Sequence, residues 1–251
     1  MKRNTYLILI TVITVICIIC GTMYYAGDWG LGFLSHNKGE VNGKDVESVE
    51  LEKFSSLVIE SEVMDVHINR GEGYSLEYRT TKGLEPTYQV KNGTLTITQK
   101  KKHYNLFGIN NGCDLFLTIP EDVTLSYANI ESDVGDISIN DMSWEKCDIS
   151  ADVGNIYVYG TNLGSAWFDS DTGDITLDEC EFQSLDAQSD VGDVEISTRK
   201  ELSAYELDFT TDVGDIRVNG RNYGRTFYQQ GTGKNYVKIQ GDVGDISFVY
   251  E

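Results

Sequence analysis

Basic charge is scarce in this sequence: 20 Lys plus Arg stand against 40 Asp plus Glu in 251 residues. Lys2 and Arg3 sit at the extreme N-terminus, so from Asn4 onward 18 basic residues face 40 acidic ones. Such a chain repels nucleic-acid phosphates and anionic lipid head groups unless a divalent cation intervenes, which excludes nucleic acid as a partner. Histidine is nearly absent, with three residues. His36 lies in a Gly- and Asn-containing stretch, His67 at an outward strand position and His103 after a lysine run. Each reads as a solvated side chain rather than a base or a ligand. The only prolines, Pro86 and Pro120, fall in connections between strand-like runs. No nucleophile elbow, zinc-ligand spacing or phosphate loop is present.

Five cysteines occur. Cys17 and Cys20 fall in an apolar run, leaving Cys113, Cys147 and Cys180 as an odd set, which argues against a disulfide framework. Cys147 reads as a small core residue, and Cys180, two repeat turns further along, is about 9–10 Å away, beyond disulfide reach. With 40% apolar and 11% aromatic residues the chain still has the material for a real core in one or two domains, and it is not disordered.

Residues 6–26, YLILITVITVICIICGTMYYA, form an uncharged, mostly apolar run of 21 residues. At about 1.5 Å per residue it is about 31 Å long, enough for a hydrocarbon core of roughly 30 Å. A cleaved signal peptide has a shorter apolar region, of about 7–15 residues, and a small-x-small cleavage site. A lipoprotein anchor at Cys17 or Cys20 wants a small residue before the cysteine, where Ile16 and Ile19 stand. The expectation is one uncleaved transmembrane helix, with Lys2 and Arg3 in the cytoplasm and the rest of the chain outside. Tyr24, Tyr25 and Trp29 then fall at an interfacial belt, and residues 27–47 read as a linker.

One pattern is abundant. Asp-Val-Gly-Asp occurs at 133–136 and recurs at 152–155 with Asn last, at 171–174 with Thr second, and at 190–193, 212–215 and 242–245. The first four starts are 19 residues apart, followed by steps of 22 and 30. A fixed period near 20 marks a stacked solenoid. Counting each unit from its first Asp as zero, position −3 holds Ile130, Ile149, Phe168, Ala187, Phe209 and Ile239. Position −5 holds Ala128, Cys147, Ala166, Leu185, Leu207 and Val237, position −1 is always small, and −2 and −4 are mostly polar. This is the period-two alternation of a half-buried strand.

Past the glycine at +2 the apolar columns move to +4 and +6, beginning with Ile137 and Ile139. A chain that changes its inward parity across one residue bends there, and glycine supplies the dihedral freedom. The motif is therefore predicted to be a corner between two strands, with the Val at +1 plugging the inside and the acids at zero and +3 outside. A second corner is predicted near −8, where Trp144, Leu163 and Phe182 recur. Turns would pair in parallel about 4.8 Å apart.

Upstream, IESEVMDVHIN (59–69) aligns with IESDVGDISIN (130–140). Glu62 takes position zero, Leu57, Ile59, Val66 and Ile68 the four apolar columns, and Met64 the glycine column. Alternating runs at 74–79, 94–98 and 113–119 read as strands, with NGT (92–94) as a hairpin turn. FYQQGTGKNYVKI (227–239) reads as a hairpin that caps an open edge. The expectation is an all-β fold: a single-stack β-solenoid, parallel β-helix-like, with two-strand rungs of ~19 residues, after one N-terminal transmembrane helix. Its parts are the cytoplasmic N-terminus and anchor 1–26, the linker 27–47, an N-terminal β-strand region 48–127, and the repeat solenoid with its capping hairpin 128–251.

The DVGDI corner, NGTLTI at 92–97 and LFLTIPEDVTL at 115–125 together resemble a bacterial family of extracytoplasmic β-strand-repeat proteins. The family is often labelled as adhesins and includes the G protein of the Lia envelope-stress cluster. The resemblance spans residues 48–251. It implies a membrane-tethered all-β module facing the cell wall of a Gram-positive type cell, with a link to envelope stress. No catalytic residues are known for the family, so none are carried over.

Stacking lines the acids up. The zero column holds Asp133, Asp152, Asp171, Asp190, Asp212 and Asp242; the +3 column holds Asp136, Asp174, Asp193, Asp215 and Asp245, with Asn155 in one neutral place. Neighbouring carboxylates about 4.8 Å apart repel by roughly 0.9 kcal/mol in bulk water and roughly 3.5 kcal/mol at an effective dielectric of 20. Two readings stand. In the first, Asp bonds nearby backbone amides in tight turns while solvent and salt disperse its charge. In the second, adjacent turns share Ca²⁺ between outward carboxylates, and these Asp residues are its candidate ligands. No other cofactor is implied.

Sugar hydrolysis fits poorly, because paired carboxylates cleave glycosidic bonds only when acid and base lie in unlike environments, and here the acids repeat evenly. Trp167 interrupts the polar −4 column and Tyr157 stands outward at +5. Each either stacks on a sugar or partner or covers a neighbouring strand. Lys100-Lys101-Lys102 is a solvated loop or a contact for teichoic acid phosphate. The function this points to is non-enzymatic: a single-pass cell-membrane protein whose extracytoplasmic β-repeat is a scaffold or interaction surface of the bacterial envelope, in stress sensing or signalling. A membrane regulator or sensor kinase is the expected partner. The alternatives are a calcium-dependent adhesin or cell-wall-polymer-binding module, and a polysaccharide-active β-helix enzyme.

Overall fold

This computed structural model describes residues 45–80, 83–100 and 113–250. The apolar run 6–26, its flanking charges, residues 27–44 of the linker, His36, His103 and Lys101-Lys102 lie outside the described residues. The linker's last three residues open strand β1 (Asp45–Glu50). Among the described residues no helix is long and apolar enough to cross a membrane. The one helical turn described is a 3₁₀ turn at Leu202–Ala204.

The regular structure is otherwise all strand. The N-terminal group is β2 (Ser56–Ser61), β3 (Asp65–Gly71), β4 (Ser75–Thr80), β5 (Thr87–Lys91), β6 (Thr94–Gln99) and β7 (Asp114–Pro120). The repeat turns are strand pairs: β8 (Tyr127–Val134) with β9 (Ile137–Asn140), β10 (Ser143–Val153) with β11 (Ile156–Tyr159), and β12 (Asn162–Thr172) with β13 (Ile175–Asp178). Next come β14 (Glu181–Val191) with β15 (Val194–Thr198) and β16 (Tyr205–Val213) with β17 (Ile216–Val218). After β18 (Arg221–Asn222) and β19 (Thr226–Gln229), β20 (Asn235–Val243) and β21 (Ile246–Tyr250) complete the chain. One member of each pair lies in an 11-stranded sheet and the other in a 10-stranded sheet, so the chain visits both sheets on every turn.

The turns stack in parallel with like residues opposite. Cys147 pairs with Ala128 and Ala166, Ile149 with Ile130 and Phe168, and Ile156 with Ile137 and Ile175. Every side chain in the −5, −3, +4 and +6 columns is at most 7% exposed, so these four columns are the core. Each buried Ile, Leu or Phe there contributes about 1.5–3 kcal/mol. The Glu62 block fits residue for residue: Leu57 pairs with Ala128, Ile59 with Ile130, Val66 with Ile137 and Ile68 with Ile139. The NGT turn also forms, with Asn92 and Gly93 at φ of 54° and 77° closing β5 onto β6.

Two features depart from the sequence expectation. The second corner lies at +8, three residues before Trp144, Leu163 and Phe182, where Asp141, Gly160 and Glu179 have φ of 56°, 61° and 51°. Those three residue types share no pattern, so the corner leaves no column in the sequence. Trp144, Leu163 and Phe182 are buried as expected, but inside the long strands. The alternation breaks just after them: Trp144 pairs with Leu163 and Lys146 with Ser165 in unchanged register, while Glu145 and Gly164 between them do not pair, and Glu145 and Lys146 are both exposed.

Stacking order also differs from chain order. β20 and β21 insert between β14/β15 and β16/β17, and β6/β7 lies outside β2/β3 at the other end. Residues 227–239 are therefore not a hairpin. β19 runs antiparallel to β16, with Leu207 opposite Gln229, and β20 runs parallel on the other side of β16, with Leu207 opposite Val237. The 30-residue step before Asp242 supplies the chain that crosses β16. β19 still covers an edge, as β18, β5 and β1 do at the other three. At the N-terminal end β2 and β3 continue the two repeat sheets.

Candidate functional site

At the repeated corner the glycines have φ between +144° at Gly135 and +156° at Gly192, a region that side chains rarely enter. Close approach enforces the choice: a Cβ on Gly154 would stand 2.1 Å from the Gly135 carbonyl oxygen, and one on Gly173 2.0 Å from that of Gly154. Met64, in the same column of the first block, is not among the residues of positive φ, which is why a side chain is accepted there.

The bend creates a backbone problem that the acids solve. On either side of it, N–H groups donate to carbonyls of the adjacent turn: Gly154 to Thr172 at 3.0 Å and Ile156 to Asp174 at 2.9 Å. The +3 N–H instead donates to the +3 side chain of the adjacent turn. Asp136 N–H donates to Asp65 Oδ1 at 2.9 Å, Asn155 N–H to Asp136 Oδ1 at 2.7 Å and Asp174 N–H to Asn155 Oδ1 at 2.9 Å. The series continues from Asp193 N–H to Asp174 Oδ1 at 2.8 Å, from Asp245 N–H to Asp193 Oδ1 at 2.7 Å, and from Asp215 N–H to Asp245 Oδ1 at 2.9 Å. These bonds are part-buried or exposed, so each contributes the ordinary net value of about 0.5–1.5 kcal/mol rather than the penalty of a buried orphan. Asp65, at +3 of the Glu62 block, begins the ladder; its place in the alignment was the signal for it.

Arg217 ends the ladder. Its guanidinium donates to Asp245 Oδ2 at 2.6 Å and to Asp215 Oδ2 at 3.5 Å. The Asp215 backbone N–H, and then Arg217, hold the Asp245 carboxyl below the usual carboxylate range. The −1 hydroxyls serve the carbonyl side of the bend: Ser170 Oγ donates to the Gly173 carbonyl at 3.1 Å and Ser189 Oγ to that of Gly192 at 3.2 Å. Thr211 Oγ1 likewise donates to the Gly244 carbonyl at 3.0 Å, whereas Ala151 and Gly241 have no hydroxyl, so the column shares small size and only part of it shares this bond.

The zero column differs. Asp133, Asp152, Asp171, Asp190, Asp212 and Asp242 are exposed and make no ion pair among the described residues. Lost hydration first, and then Asp133 and Asp171, push the Asp152 carboxyl up; lost hydration, then Asp242 and Asp171, do the same at Asp190. The sequence-predicted acids are thus brought together as two files. Among the described residues no group of three or more His, Cys, Asp or Glu is placed to hold a metal ion. In the +3 file Asp136, Asp174, Asp193 and Asp245 already give one oxygen to a backbone amide.

The Val at +1 does not plug the corner. Val134, Val153, Val191, Val213 and Val243 are 42–55% exposed. The strands run on through zero and +1 to the bend at the glycine, but inward–outward alternation stops after −1: zero and +1 are both exposed, while the −1 side chains are buried in the long strands.

The remaining candidates are structural. Cys113, Cys147 and Cys180 are free and buried. Burial raises the Cys147 thiol and pushes that of Cys180 up to about 12, so neither is a ready nucleophile. His67 stacks on Phe116 with ring centroids 4.7 Å apart, so it is not a freely solvated side chain. Trp167 is half-buried between the register positions of Asp148 and Asp186, whereas Tyr157 is exposed.

Among solved structures, a protein from Clostridium sporogenes provisionally named for cell adhesion superposes with a TM-score of 0.50 at 16% identity, covering 83% of this chain and 99% of its own. One from Bacteroides fragilis provisionally named an adhesin gives a TM-score of 0.44 at 14% identity, covering 81% and 95%. At these identities the likeness to the first shows fold alone. No curated protein matches the chain. The family model described as Toastrack DUF4097 matches residues 54–227, from the first repeat block to the strand that covers β16, and the chain accordingly belongs to that family.

Proposed function

We propose that this protein is a membrane-anchored, extracytoplasmic β-repeat scaffold of the bacterial cell envelope, displaying an interaction surface in envelope-stress sensing or signalling rather than a catalytic centre. The observation that carries the reading is the uniformity of the corner. Along the stack the +3 side chains of Asp65, Asp136, Asn155, Asp174, Asp193 and Asp245 each accept an amide of the adjacent turn, Asp215 at the end pairs with Arg217, and every zero-position acid faces solvent, so one arrangement is repeated from turn to turn. A rigid stack of identical edges suits templated contact. The apolar run 6–26, preceded by Lys2 and Arg3, supports the anchored, outward-facing placement.

The test is photo-crosslinking with the full chain in its own membranes, with the reactive residue placed in turn at Val153, Tyr157 and Lys146. Adducts to a defined membrane protein from at least one of these, and none from a reactive residue at buried Ile149, are expected. No adduct from any exposed position would remove the scaffold reading. The unpaired zero column motivates a second reading, a calcium-dependent adhesive or wall-binding module. Calorimetry of the full chain against millimolar Ca²⁺ separates the two: binding heat with a rise in melting temperature favours it, and neither discards it. Turnover of a wall polysaccharide, lost in Asp174→Asn, would establish an enzyme instead.

A further inference from the structure

Among the described residues the exposed large apolar side chains are tyrosines and five valines, and the valines are Val134, Val153, Val191, Val213 and Val243. All five stand in one file. Val153 pairs with Val134 and Thr172, Thr172 with Val191, Val191 with Val243, and Val243 with Val213. Isolated surface apolar groups need no explanation, whereas a continuous row of them does. Six positions at about 4.8 Å give a stripe about 24 Å long. Unpaired zero-position carboxylates run along one side of it, and along the other runs the +3 file, carboxylates except at Asn155, with Asp215 and Asp245 at its end paired to Arg217.

We propose that this file is the docking surface for a cationic amphipathic helix, laid along the stack with an apolar residue on each turn against the valines and Lys or Arg on both flanks against the acid files. Charge and spacing both support it. The carboxylates repel one another, and the ones at Asp152 and Asp190 resist ionisation in part because of their neighbours; a partner's cations remove that repulsion. A helix repeats about every 5.4 Å, near the turn spacing of about 4.8 Å, whereas a strand laid the same way repeats on one face about every 6.7 Å. The stripe accommodates about 16 helical residues. A second copy of this acidic chain is disfavoured by like charge. The proposal rests on the interaction-surface reading and gives its partner a chemistry.

The experiment uses the full chain in zwitterionic nanodiscs, with empty nanodiscs as the control, and a fluorescent 16-residue peptide carrying one Leu per turn with Lys on both sides. Saturable binding is expected, at least about tenfold tighter than for a scrambled peptide of the same composition. The triple variant Val153→Thr, Val191→Thr and Val243→Thr keeps the fold, because Thr172 already occupies the same column, and is expected to bind about fivefold more weakly or worse. An unchanged thermal melt checks that fold. No binding, equal binding of the scrambled peptide, or unchanged affinity in the triple variant would overturn the proposal. Crosslinks in membranes from other faces, without peptide binding, would leave the scaffold reading standing and remove the helix.

Discussion

The side-chain oxygen of Asn155 accepts the backbone N–H of Asp174 at 2.9 Å, in a ladder whose other members are carboxylates. A neutral amide does the same work as an acid at this position, so the ladder's requirement is an acceptor of the right length, and its charge is incidental to the fold.

Asn155→Asp tests that separation. The acceptor is kept, the bond from Asn155 Nδ2 to Asp136 Oδ1 at 3.3 Å is lost and a charge is added between Asp136 and Asp174, so the variant is expected to melt lower, by a small salt-independent part and a part that shrinks as salt is added. Melting curves at two salt concentrations check it; a large loss independent of salt would contradict it.

Asp152→Asn addresses the zero column. The folded pKa of Asp152 is raised, chiefly by lost hydration and then by Asp133 and Asp171. Its contribution is therefore fully present below the unfolded carboxylate value of about 4 and is lost as pH rises through the folded value. The variant, which cannot ionise, is expected to melt higher than the parent at pH 7 and equally at pH 3. Asp190→Asn should behave likewise. A variant that melts lower at pH 7 would mean that these acids hold a stabilising partner.

The core was legible because its four columns repeat with period two on either side of a fixed glycine, and Ile149 or Ile156 can point only one way in such a pattern. What remained hidden depends on relations between turns. The acceptor for Asp174 N–H lies 19 residues back, on a neighbour that strand alternation does not reveal. Strict alternation points Val153 inward, but within the strand the alternation stops at Asp152, and both of these side chains are exposed. The insertion of β20 beside β14 rather than beyond β16 left only an unequal spacing, since any turn with the same columns stacks on any other.

Gly154→Ala places a methyl 2.1 Å from the Gly135 carbonyl at a backbone φ of +150°. Neither the rung beneath nor the dihedral can relax without loss of the adjacent ladder bonds, so a cost of about 3 kcal/mol or more is expected in urea unfolding. A cost below about 1 kcal/mol would mean that the turns are less tightly nested than described.

Cys147 and Cys180 are buried with raised thiol pKa values. Neither should react with a neutral thiol reagent in the folded protein near neutral pH, and both should react fully in denaturant. Rapid labelling of either in the native state would place it outside the core.

The most direct test compares Asp174→Asn with Asp174→Ala in urea unfolding at pH 7. If the side chain serves to receive the Asp193 N–H, Asn should stay within about 0.5 kcal/mol of the parent, while Ala should lose about 1 kcal/mol or more. Equal loss in both, or no loss in Ala, would contradict the ladder as the reason this chain repeats its acids.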